Sequence, residues 1–107
     1  MLPDLTPEAL RAAQLAGENI TLIDVREPEE FDYCHLPGSV LIPLGELPAR
    51  AAEVPQGQPV VLVCHHGVRS AQALAYLQQR HGHQNLRNLR GGIDAWSRRV
   101  DTGVPVY

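Results

Sequence analysis

Cys64-His65-His66-Gly67-Val68-Arg69-Ser70 sets a cysteine, two histidines, a glycine, a cation and a hydroxyl side by side, after the apolar run Val60-Val61-Leu62-Val63. An Ala/Leu-rich stretch follows. A cysteine at the carboxyl end of a buried strand, just ahead of a helix, faces unpaired backbone N–H groups and the positive end of the helix dipole. Both favour the anion, so Cys64 is expected to be an exposed and substantially ionised thiolate at neutral pH. The other role open to such a residue is an inert core cysteine, but His-His-Gly is too polar for a plain strand-to-helix turn.

The rest of the loop reads as a cradle for that sulfur. Gly67 permits a left-handed backbone, so the amides of residues 64 to 70 can curl around the thiolate, with Val68 and Ser70 completing the substrate-binding loop. His65, His66 and Arg69 add donors and positive charge that would hold an anionic sulfur donor and stabilise charge developing on sulfur. The dipole disfavours a cation in a first helical turn, so Arg69 is expected to face an anion or an acid. An ionised thiol in such a cradle is equipped for two-step covalent group transfer.

The elements that must position this loop alternate between strand and helix, the signature of βαβ units in a mainly parallel sheet. Thr6-Pro7-Glu8 opens a helix over Pro7 to Leu15, with a capping hydroxyl, a proline at the first turn and a stop at Gly17. Thr21 to Val25 reads as a buried strand ending in Asp24-Val25-Arg26, and Pro28 opens a short helix through Phe31. Pro37-Gly38 turns the chain before a third short apolar run, Val40-Leu41-Ile42, and Pro48 sits near the start of another short helix. Val60 to Val63 is the strongest strand, Arg69 to Arg80 is helical to a stop near Gly82, and Asn85 to Leu89 is the last strand. Gly91-Gly92 leads into a final helix that buries Trp96. The fold class is therefore α/β, with a central sheet of four to five strands, helices on both faces, and one domain over residues 1–107. In such sheets ligands gather beyond the carboxyl ends of the strands, where Asp24-Arg26, the Cys64 loop and Arg90-Gly92 all end.

Composition narrows the classes further. A net charge of −3 argues against a nucleic-acid or anionic-membrane surface. All nine basic residues are arginine, which excludes a Schiff-base or P-loop lysine. Two cysteines, Cys34 and Cys64, supply neither a disulfide framework nor a Cys-x-x-Cys motif. No apolar run is long enough for a membrane span, and Met-Leu-Pro-Asp lacks the pattern of a signal peptide, so a cytoplasmic location is expected. His81 and His83 flank Gly82 without further ligands nearby, so no metal and no cofactor is assigned.

Three stretches carry a resemblance to the single-domain rhodaneses, a family of sulfurtransferases. They are Leu22-Ile23-Asp24-Val25-Arg26-Glu27-Pro28-Glu29-Glu30-Phe31 with His35-Leu36-Pro37-Gly38 and Ile42-Pro43; Cys64 to Ser70; and Leu89-Arg90-Gly91-Gly92-Ile93-Asp94-Ala95-Trp96. The resemblance implies that Cys64 accepts a sulfane sulfur from thiosulfate or a persulfide. The resulting persulfide then passes its outer sulfur to cyanide, a small thiol or a protein cysteine. It also implies a catalytic or substrate-holding role for Arg69 and a loop-positioning role for Asp24 and Arg26, whose bland alternative is a structural ion pair. Cys34 stands where the family pattern has glycine; it is read as a buried, inert cysteine rather than a resolving thiol. His35 is read as a hydrogen-bonded structural residue.

Two other functions compete. In related phosphatases and arsenate reductases the cysteine cradle binds a tetrahedral oxyanion, typically with one more residue between cysteine and arginine. Here four residues intervene, a radius suited to sulfur rather than phosphate. A non-catalytic interaction module is the second alternative, disfavoured by the presence of Cys64.

Overall fold

The computed structural model describes residues 4–107, so the first three residues of the Met-Leu-Pro-Asp start lie outside the described residues. Five strands form one sheet: β1 (Asp4–Leu5), β2 (Thr21–Asp24), β3 (Val40–Leu41), β4 (Val60–Val63) and β5 (Leu86–Leu89). Their spatial order is β1-β5-β4-β2-β3, and every pairing is parallel. A parallel sheet must be covered on both faces, which is why β4 reads as an uninterrupted apolar run, buried at all four positions.

The covering helices are α1 (Pro7–Leu15), α2 (Pro28–Tyr33), α3 (Leu47–Arg50), α4 (Val68–His81) and α5 (Gly92–Arg99). Alternation along β4 divides the core into two layers. Val60, Leu62 and Cys64 pack with Leu47 of α3 and Ala73, Leu74 and Leu77 of α4. Val61 and Val63 pack with Leu10 of α1 and Ile93 and Trp96 of α5. Helices thus flank both faces, as the alternation of patterns predicts.

Local signals set most boundaries. Thr6 Oγ1 accepts from the Ala9 N–H at 3.1 Å at the start of α1. α2 starts with Pro28 and a reciprocal capping pair in which Glu30 reaches back to the Glu27 N–H at 3.0 Å. It runs two residues beyond the Phe31 end expected from sequence. β1 is the one strand not anticipated: at two residues it is too short to show any periodicity, and it exists only because Asp4 and Leu5 register against Asn88 and Leu89. The parallel order brings the carboxyl ends of β2, β4 and β5 side by side, and the residues that could do chemistry collect there.

Candidate active site

Cys64 is the first residue after β4, and α4 begins four residues later at Val68. Gly67 bridges the two with φ +97°, a left-handed conformation. That turn aims the Gly67 N–H at Cys64 Sγ, 3.1 Å away. The Ser70 hydroxyl, from the first turn of α4, stands 3.2 Å from the same sulfur. Two donors of the predicted loop therefore converge on the sulfur. Among the described residues Gly67 is the one loop amide bonded to it, where the sequence pointed to a ring of them.

Cys64 is 1% exposed, which corrects the expectation of an open thiolate. The register that puts Cys64 on the Val60 and Leu62 side of β4 turns it inward, against the cluster that holds Val25, Ile42 and Ala73. His65 and His66 stay at the surface, stacked with ring centroids 3.9 Å apart. The Val68 side chain points away to solvent at 65% exposure.

Arg69 faces an acid. Its guanidinium grips Glu30 of α2 with Nη1 2.6 Å from Oε1 and Nη2 3.0 Å from Oε2. This fork, more than any other influence, holds the Glu30 carboxyl down to about 2, and the same contact raises Arg69. Tyr107 joins the pair by donating its hydroxyl to Glu30 Oε2 at 2.8 Å, and it accepts from Arg26 Nη1 at 2.7 Å. Burial is the main reason the Tyr107 phenol is pushed up to about 12.

Asp24 and Arg26 form a fully buried pair, with Nη2 2.7 Å from Oδ2 and both side chains at 0% exposure. Burial pulls the Arg26 guanidinium down, but its bonds to Asp24 and Tyr107 outweigh that and hold it above its ordinary value. Arg26 also donates to the Cys34 carbonyl at 2.6 Å. The pair thus ties the end of β2 to the segment after α2 and to Tyr107. Asp24, Arg26, Tyr107, Glu30 and Arg69 make one continuous polar chain ending at the first turn of α4.

Residues 6–99 match the sequence profile of the family described as Rhodanese-like domain. The chain belongs to the rhodanese-like family. It is 37% identical over 106 residues to a protein named Sulfurtransferase from Allochromatium vinosum, a match spanning 99% of this chain and 95% of that one. It is 38% identical over 105 residues to the probable adenylyltransferase/sulfurtransferase MoeZ of Mycobacterium tuberculosis, covering 96% of this chain but 26% of that longer protein. Among solved structures, a rhodanese-like domain protein from Staphylococcus aureus superposes with a TM-score of 0.83 at 28% identity, covering 100% of this chain and 99% of that one.

This rhodanese-like site also contains residues that the sequence reading missed. Asn88, buried on β5, accepts from the Ser70 hydroxyl at 2.5 Å and donates to the Gly67 carbonyl at 3.1 Å. It therefore holds both residues that point at Cys64. Ser70 has one hydroxyl hydrogen, shared between Asn88 Oδ1 and Cys64 Sγ, so the two contacts compete. A polar residue inside the apolar pattern Leu86-Arg87-Asn88-Leu89 is the signal that marks it. Glu30 carried no local mark beyond its capping position, and Tyr107 carried none.

The Gly91-Gly92 pair has a steric reason. Gly92 lies at φ +63°, and a Cβ there would sit 2.4 Å from the carbonyl oxygens of both Cys64 and His65. That approach lets the Ile93 N–H reach the Cys64 carbonyl at 2.8 Å and the Asp94 N–H reach the His65 carbonyl at 3.0 Å. The first turn of α5 thereby clamps the Cys64 loop through its carbonyls.

Cys34 packs in the α1–α5 layer and Cys64 in the α3–α4 layer, so the sheet separates the two cysteines. The Cys34 thiol lies 3.7 Å from the Pro105 carbonyl. His35 stacks on Phe31 and its Nδ1 lies 2.8 Å from the Phe31 carbonyl. Among the described residues no helix is long and apolar enough to cross a membrane.

Proposed function

We propose that this rhodanese-like protein moves sulfane sulfur through a persulfide on Cys64. The observation that carries the reading is the convergence of the Gly67 N–H and the Ser70 hydroxyl on Cys64 Sγ, at 3.1 and 3.2 Å, ahead of the N-terminus of α4. Donors so placed stabilise charge on sulfur in both the thiolate and the persulfide.

In the first step the Cys64 thiolate attacks the outer sulfur of thiosulfate. The S–S bond of the donor breaks, and sulfite leaves with its electron pair. In the second step a thiophile such as cyanide attacks the outer sulfur of the Cys64 persulfide; thiocyanate departs and the thiolate is restored. A persulfide donor and a thiol or protein-cysteine acceptor fit the same two displacements. Because Cys64 is 1% exposed, each reactant reaches the sulfur only as the side chains around it give way.

Mass spectrometry after incubation with thiosulfate tests the reading. Wild type should gain one sulfur, about 32 mass units, and release thiocyanate on addition of cyanide, whereas Cys64→Ala should do neither. An unmodified wild type would sink the proposal in favour of an interaction module. Release of phosphate from an aryl phosphate, lost in Cys64→Ser, would favour oxyanion chemistry instead.

A further inference from the structure

The two surface histidines of the loop have a third partner, contributed by α5. The clamp that sets the Asp94 N–H on the His65 carbonyl at 3.0 Å also brings the Asp94 carboxylate to the His65–His66 stack. One ligand atom from each of His65, His66 and Asp94 lies within 4.8 Å of the other two. His66 is exposed and the other two are half-buried, so the cluster is open to solvent.

A second observation prepares His65 for coordination. Its Nε2 lies 2.7 Å from the Tyr107 main-chain oxygen, an atom that only accepts, so Nε2 is the donor there and Nδ1 is the nitrogen left to coordinate. The ring of Tyr107 stacks on that of His65 at 3.9 Å and 3°, holding its plane. A ligating imidazole whose other nitrogen donates to a backbone carbonyl is the arrangement that fixes tautomer and orientation in metal sites.

We propose that His65, His66 and Asp94 bind a divalent transition-metal ion of the zinc class at the rim of the Cys64 loop. Two imidazoles and one carboxylate suit such an ion, and three protein ligands leave a coordination position for water. A single carboxylate is too poor in oxygen for calcium or magnesium. Ligand bonds of about 2.0–2.2 Å require the three donors to close to roughly 3.4 Å apart, which the His66 and Asp94 side chains must turn toward His65 to reach. Binding displaces Arg98 from Asp94, where Nε stands 3.1 and 3.2 Å from the two carboxylate oxygens. That i,i+4 pair has a largely exposed arginine and contributes little.

The bound ion would tie the nucleophile loop to α5. Sulfur loading needs the surroundings of Cys64 to give way, so the tie slows it; this consequence rests on the proposed function, whereas metal binding does not.

Calorimetric titration of zinc chloride into the full chain carrying Cys64→Ser tests binding without the thiol. One equivalent should bind, magnesium chloride should give no binding heat, and adding His66→Ala or Asp94→Ala should weaken zinc by about tenfold or more. Both substitutions lie at the accessible rim, and circular dichroism confirms that each variant is folded. Absence of zinc binding by Cys64→Ser, or an affinity in both added variants unchanged from that of Cys64→Ser alone, would overturn the site. In wild type, zinc should slow thiosulfate loading and a chelator should restore it. Zinc bound with loading unchanged would overturn the inhibitory consequence, while a wild type that never loads sulfur yet binds zinc would sink the proposed function and leave the site standing.

Discussion

Arg69 and Glu30 meet as a two-pronged fork, 2.6 and 3.0 Å, between the first turn of α4 and the middle of α2. The cation that the dipole should have expelled from a helix N-terminus is retained because an acid on another element neutralises it. An anionic donor approaching Cys64 therefore competes with Glu30 for this guanidinium. Arg69→Ala is expected to slow thiosulfate loading by about tenfold or more, the usual worth of one charge-assisted contact to a transferring group. Glu30→Gln, which frees the cation, should hold or raise loading at low thiosulfate. Equal losses in both variants, measured by stopped-time mass spectrometry, would make the pair purely structural.

The same pair makes stability depend on pH. Glu30 titrates at about 2 in the folded chain against an ordinary 4.5, so its contribution is complete above about pH 4.5 and is lost as pH falls toward 2. Arg69 is 33% exposed and Glu30 21%, so solvent screening reduces the contribution to about 1–2 kcal/mol. Urea unfolding should show wild type ahead of Glu30→Gln by that amount at pH 7, with the gap narrowing as pH is lowered through 3. A constant gap would assign the stability to packing rather than charge.

Ser70 and Asn88 act on the sulfur in series. Removing the hydroxyl deletes one of the two donors to Cys64, so Ser70→Ala should slow thiosulfate loading of Cys64 by about tenfold, the equivalent of one lost charge-assisted hydrogen bond. Asn88→Ala frees that hydroxyl from its competing acceptor but loosens Gly67. It should lower stability while slowing loading less than Ser70→Ala does. Peptide mapping separates sulfur on Cys64 from sulfur on Cys34, and equal loading rates in wild type and Ser70→Ala would remove the hydroxyl from the chemistry.

Gly92 and Gly17 both lie in the left-handed region, at φ +63° and +80°, but only Gly92 has backbone atoms where a Cβ would go. Gly17→Ala should cost about 1 kcal/mol from backbone strain alone. Gly92→Ala adds the collision with the Cys64 and His65 carbonyls, and should cost roughly 2 kcal/mol more and impair sulfur loading. Equal midpoints of urea denaturation for the two variants would mean that α5 does not need its close seat on the loop.

Arg26→Met strips the partner from a carboxylate with no access to water. Leaving Asp24 uncompensated should cost about 3–5 kcal/mol, while Asp24→Asn with Arg26→Met should recover part of it. Thermal denaturation of the three variants checks the coupling, and strictly additive losses would contradict it.

The chain order of strands and helices was legible from Val60-Val63, from the Thr6-Pro7 and Pro28 starts and from the Gly82 stop, because these signals act over a few residues along the backbone. The strand-glycine-helix order of the Cys64 loop was legible for the same reason, although among the described residues only the Gly67 amide of the expected ring reaches the sulfur. What packing alone decided was the company each side chain keeps. Register on β4 turned Cys64 inward rather than out, Arg69 was given to Glu30 across 39 positions of sequence, Asn88 was delivered to the site with no more signal than a polar residue on a buried strand, and Tyr107 with none. Periodicity reports which face of an element is apolar, while contacts between elements depend on how those faces dock, and that is settled only when the whole core closes.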